Sequence, residues 1–129
     1  MVREMKKAEA GRYLEQAEEF LATAVESHES ERYNAATFSA IQAMMNANDA
    51  LTIHFLGQRA SSDHREALKL HGDVARLISD SSQRTRLANA LGQRADAGYG
   101  GDIMLEADAE KAIKAASRFM EWVHLNTGL

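Results

Sequence analysis

The 129-residue chain predicts an all-α protein, an antiparallel up-and-down four-helix bundle with an additional short helix. Three observations predict it. Proline, which helix interiors tolerate least, is absent, and alanine, which they tolerate best, is the commonest residue. Apolar residues recur at alternating steps of three and four, the period of a helix with one buried face. No stretch reads as a strand. A chain of this length fits one domain, residues 1–129, and can bury a core without disulfides or metals as staples.

The first helix is expected over about residues 3–28, with Ala10, Tyr13/Leu14, Ala17, Phe20/Leu21 and Ala24/Val25 along one stripe. SHESER interrupts it, with Ser30 as the candidate N-cap of a second helix that runs from about residue 31 to 56. Gly57 suits the position just past that helix. GQRASSDH reads as a loop leading to a third helix, to about residue 79, capped by Ser61, Ser62 or Asp63. A short fourth helix follows over about residues 83–97, and a last one over about 105–125.

Along the second helix, Phe38, Ile41 and Met45 fall roughly 100–160° from the main apolar stripe. Either the helix is buried on several sides inside the bundle, or this surplus apolar surface is a subunit contact; the second, a homodimer, is the expectation favoured here. Between the two apolar zones lies a polar stripe, Ser39, Gln42, Asn46 and Asp49, within roughly 80°. It is either a wetted face or one wall of a cleft against the fourth helix, where Asp49 would orient Arg94.

Composition bounds the setting. Without cysteine there are no disulfides and no thiolate chemistry, which fits a reducing compartment. The charged N-terminus MVREMKKAEAGRYLEQAEE lacks a signal-like apolar run, and no segment is apolar enough for a membrane span. The expected localisation is cytoplasmic. A net charge of −4 argues against coating nucleic acid by bulk electrostatics, but arginines gather in mid-chain, so an anionic partner would meet that region.

Little conventional chemistry is written in the chain. Glu121 and His124 have the spacing of half a di-iron carboxylate motif, but no second copy exists, so no metal and no cofactor are expected. There is no phosphate-binding P-loop and no nucleophile elbow. His54 and His71 fall at core-like positions, whereas His64, beside Asp63 and Arg65 at a helix start, is a candidate anion contact. The pentapeptide LGQRA occurs at 56–60 and again at 91–95, but its flanks do not align, so it reads as coincidence. In GQRADAGYGG, Gly98 reads as a helix C-cap and Gly100-Gly101-Asp102 as a turn.

The order of YLEQAEEFLATA, ERYNAATFSAIQAM, NDALTIHFLG, SSDHREAL, RADAGY and EADAEKAIKAASRFMEWV resembles a higher-eukaryote-and-prokaryote nucleotide-binding (HEPN) domain. It is similar to the small stand-alone prokaryotic type, over nearly the whole chain. The resemblance implies a bundle of four main helices and a two-fold dimer with a polar cleft. Many such domains are ribonucleases, often toxins paired with a small nucleotidyltransferase antitoxin. Their signature is an arginine, four to six variable residues and a histidine. Here the arginine is Arg94, and Tyr99 stands where the histidine would be. RADAGY is also similar to a branch carrying arginine followed by an Asp-Tyr pair, although Asp96 and Tyr99 are not adjacent.

Histidine suits proton transfer near neutrality, whereas tyrosine, with a pKa of about 10, is a poor base there. Tyrosine still stacks on bases and donates hydrogen bonds. The expected function is therefore RNA or nucleotide binding with little or no catalysis, with no catalytic residue assigned. The candidate binding residues are Arg94, Tyr99, Asp96, Asp49 and His64. The rival expectations are an active metal-independent ribonuclease and a pure protein-interaction module.

Overall fold

The computed structural model describes residues 1–61, 63–98 and 100–129, with Ala95 as backbone only. Its helices are α1 (Ala10–Glu29), α2 (Tyr33–Leu56), α3 (His64–Ile78), α4 (Arg84–Gly98) and α5 (Glu106–Thr127). A 3₁₀ turn, Lys7–Glu9, leads into α1. The fold is an all-α bundle, with α2 at its centre, packed against α1, α3, α4 and α5.

Small side chains allow that centre to be crowded. Ala10, Ala17 and Ala24 recur at heptad spacing on α1 and are fully buried, as are Ala36, Ala40, Ala43, Ala47 and Ala50 on α2. Alanine faces let backbones approach. The larger side chains of Ile41, Met44, Leu51, Leu87, Leu91 and Phe119 fill the remaining space. Each such residue contributes roughly 1.5–3 kcal/mol by leaving water.

This central position favours burial on several sides within the bundle over the subunit contact expected of α2. Ile41 is buried within the chain, Phe38 is half-buried against Gly98, and Met45 is half-buried facing a cavity. The surplus apolar surface that suggested a subunit contact is thus largely covered by the chain's own helices. Gly98 closes α4 as its last helical residue, and a Cβ there would sit 2.5 Å from the Phe38 ring. Glycine is needed at that position for the close approach of the ring.

Two further expectations change. Ser30 ends α1 as its C-cap instead of starting α2. The chain reverses through Glu31, with φ of 60°, and Arg32 precedes α2 without a side-chain cap. Two short strands also exist: β1 (Val2–Glu4) pairs antiparallel with β2 (Gln58–Ala60), Arg3 opposite Arg59. Met5 N–H donates to the Gly57 carbonyl at 2.8 Å and Ser61 N–H to the Met1 carbonyl at 3.1 Å, extending the ladder at both ends. The ribbon therefore clasps the open end of the α1–α2 hairpin. Gly57, with φ of 67°, turns the chain from α2 into β2.

At the other end, Asn34 holds the connection between α4 and α5. Its amide donates to the carbonyls of Ala97 and Asp102 and accepts from Met104 N–H, at 3.1, 2.6 and 2.9 Å. In the core, His71, Phe119 and Trp122 pack mutually, with ring centroids 5.8, 5.6 and 5.9 Å apart. Trp122 Nε1–H donates to the Asp80 carboxylate at 2.8 Å. Among the described residues no helix is long and apolar enough to cross a membrane.

Candidate functional site

The polar stripe of α2 is not a wetted face. Ser39 and Asn46 are buried, and Gln42 donates to the Asn46 carbonyl oxygen at 3.1 Å. Gln42, Asn46 and Asp49 instead form one wall of a cavity of about 210 Å³, closed by β2, the start of α3 and the inner face of α4. Arg94 reaches it from α4 and Arg59 from β2. The cleft expected between α2 and the fourth helix exists, and Asp49 and Arg94 both line it.

The two arginines are held alike. The guanidinium carbon of Arg94 lies 5.4 Å from the centroid of the Phe38 ring, and that of Arg59 lies 5.4 Å from the centroid of Tyr13. In each, Nε is buried and has no hydrogen-bond partner. Neither arginine forms an ion pair among the described residues, so Arg94 is not held in a structural salt bridge. Arg59 Nη1 donates only to its neighbour's carbonyl, Ala60, at 3.2 Å. Across the ribbon, the exposed Arg3 stands opposite Arg59, and like charges side by side favour an anion nearby.

Asp49 is the acidic counterpart. Burial raises its pKa to about 7, although the positive charge of Arg59 pulls in the opposite direction. It forms no ion pair with Arg94 within 4.0 Å, and Arg59 is the cation it feels. A carboxyl group with this pKa is about half protonated at neutrality. It can accept a hydrogen bond from a hydroxyl, donate one to an anion, or take up a proton. Charged groups buried without partners are costly, and such arrangements cluster where ligands bind.

The remaining candidates lie elsewhere. Asp96 is exposed on α4 and does not line the cavity. His64 is half-buried in the first turn of α3 and also stays outside it, whereas its neighbour Asp63 lines the cavity and caps α3 by accepting from Arg65 N–H at 2.8 Å. Tyr99 lies outside the described residues. His71 is packed as its core-like position implied. His124 Nε2 lies 3.2 Å from Glu18 Oε1 at the surface.

Arg59 is the residue that sequence reasoning missed. Its signal was the repeated LGQRA: the arginines of the two copies are Arg59 and Arg94. One copy runs from a helix end into a strand and the other stays within a helix, yet both arginines meet at one cavity. Two guanidinium forks beside a near-neutral carboxyl group suit a ligand bearing phosphate and hydroxyl groups. The volume admits part of a nucleotide, with the remainder outside.

No curated protein matches the chain. The family model described as the HEPN domain matches residues 10–126, from the start of α1 into the last turn of α5, and the chain belongs to that family.

Proposed function

We propose that this chain binds RNA or a nucleotide in the cavity between α2, β2, α3 and α4, and cleaves it weakly or not at all. The observation that carries this reading is the pair Arg59 and Arg94, both stacked on aromatic rings, both with a buried Nε that no protein group satisfies. A HEPN domain implies nucleotide or RNA binding or ribonuclease-type activity, and the cavity chemistry agrees with the binding part of that statement. In this reading the arginines grip a phosphate and Asp49 meets a ribose hydroxyl. Tyr99 stacks on a base. Asp96 and His64 contact only parts of the ligand outside the cavity.

HEPN domains commonly dimerise. A homodimer is the assembly we propose here, with a small nucleotidyltransferase as protein partner in a toxin–antitoxin-type pair. Support for the partner comes from the family resemblance alone. The test is fluorescence polarisation of a labelled single-stranded RNA at low salt, with nucleotides as competitors. Arg94→Ala and Arg59→Ala should each lose most of the binding while circular dichroism stays unchanged. Full binding by both variants would sink the proposal.

One observation favours a second reading, a metal-independent endoribonuclease. Asp49, with a pKa of about 7, supplies the near-neutral proton acceptor that Tyr99 cannot. Asp49 would take the proton of the ribose 2′-hydroxyl as that oxygen bonds to phosphorus, the arginines stabilising its charge. The P–O5′ bond breaks, the 5′-oxygen leaves with a proton from water, and a 2′,3′-cyclic phosphate remains. Cleavage of a structured RNA that disappears in Asp49→Asn, with RNA binding retained, would establish this reading over the first.

A further inference from the structure

At the hairpin end of the bundle, away from the cavity, the last turn of α1 meets the first two turns of α5. His28 Nε2 lies 3.5 Å from Glu110 Oε1 and 4.0 Å from Glu106 Oε1. The three potential ligand atoms all lie within 4.8 Å of one another. Glu106 and Glu110, one helical turn apart, present their carboxylates on the same face. Asp108, between them, is committed elsewhere, accepting from Leu105 N–H at 2.8 Å.

The spacing is wide for an ion pair. A charge-assisted N–H···O bond closes to about 2.7–2.9 Å. His28 Nε2 makes no such bond: it is buried, faces two carboxylates, and has no hydrogen-bond partner. Ligand atoms held at about 2.0–2.2 Å around a tetrahedral cation stand roughly 3.3–3.6 Å apart. The His28–Glu110 separation already has that value, and the Glu106 carboxylate needs only a small side-chain rotation, which its 61% exposure permits.

We propose that His28, Glu106 and Glu110 bind one divalent transition-metal ion. Imidazole nitrogen with two carboxylates suits Zn²⁺ better than Mg²⁺ or Ca²⁺, which prefer all-oxygen ligands. Two carboxylates balance the charge of the ion, and the carbonyl end of α1 also favours a cation there. Three protein ligands leave a fourth position for water. The bound ion ties the end of α1 to the start of α5. Sequence spacing could not show this, because the histidine and the glutamates sit on helices far apart in the chain.

Metal-free protein titrated with Zn²⁺ by calorimetry tests the site, with Co²⁺ visible absorption as a report on coordination. The expected result is one Zn²⁺ per chain, with affinity reduced roughly tenfold or more in each of His28→Ala, Glu106→Gln and Glu110→Gln. The glutamine variants keep side-chain shape, so a loss there is not a loss of fold, and circular dichroism checks this. His124→Ala should bind as the unsubstituted protein does. Failure to take up Zn²⁺, affinity unchanged in the three ligand variants, or affinity that follows His124 overturns the proposal.

Discussion

Arg59, on a two-stranded ribbon, and Arg94, on a helix, line one cavity and rest on aromatic rings at the same separation, 5.4 Å. Two guanidinium groups serving one ligand should not act independently. Each alanine substitution is expected to weaken RNA or nucleotide binding roughly tenfold or more, the scale of a charge-assisted hydrogen bond. The double variant should bind less weakly than the product of the two single losses, because either change already disrupts the clamp. Polarisation titrations of all three variants at one salt concentration measure the coupling.

Asp49 makes stability depend on pH. Its folded pKa of about 7 lies above the ordinary 3.8, so the folded state holds a proton that the unfolded chain has released. The associated stability is present below about pH 4 and is lost as pH rises through about 7. Asp49→Asn removes the ionisation. It should be more stable than the unsubstituted protein at pH 8, by up to about 4 kcal/mol, with the gap closing toward pH 4. Urea unfolding at several pH values reads this out.

His71 imposes the opposite slope. Burial, assisted by the charge of Arg84, lowers its pKa to about 4. Its Nδ1 faces the Asn48 carbonyl oxygen at 2.9 Å, while the Asn48 amide donates to the Ala67 carbonyl, so Nδ1 carries the proton and the ring is neutral. Stability present above the ordinary value of 6.5 should be lost as pH falls through about 4. Asn48→Ala leaves that N–H buried without an acceptor, at a cost of about 1–3 kcal/mol at neutral pH. Thermal unfolding of Asn48→Ala measures the cost.

Gly98 connects packing to the cavity. A methyl group there would meet the Phe38 ring at 2.5 Å, and Phe38 is the surface on which Arg94 rests. Gly98→Ala is expected to destabilise the fold by about 1–3 kcal/mol, as overpacking does. It should also weaken ligand binding although residue 98 does not line the cavity. Equal binding in a demonstrably folded Gly98→Ala protein would show that the ring does not position Arg94.

The helices were legible because each except α2 carries one apolar stripe, and the periodicity of a stripe survives without knowledge of its neighbours. α2 misled for a physical reason: packed on by four helices, it buries several faces, and a second apolar face resembles an interface when the other helices are not in view. The ribbon was invisible because strands of three residues show no alternation. Asp49 and Arg94 could be found from a polar stripe and a motif. Arg59 left only the repeated LGQRA as a signal, which carries no meaning until the tertiary fold brings the two arginines together.

The ribbon also has a kinetic consequence. β1 precedes α1 and β2 follows α2, so the pairing that sets Arg59 closes a loop that contains two long helices. Helix pairing rests on local contacts, whereas closing this loop carries the larger entropic cost. The ribbon is therefore expected to close last in folding, and the β1–β2 amides should exchange with solvent ahead of the helical core.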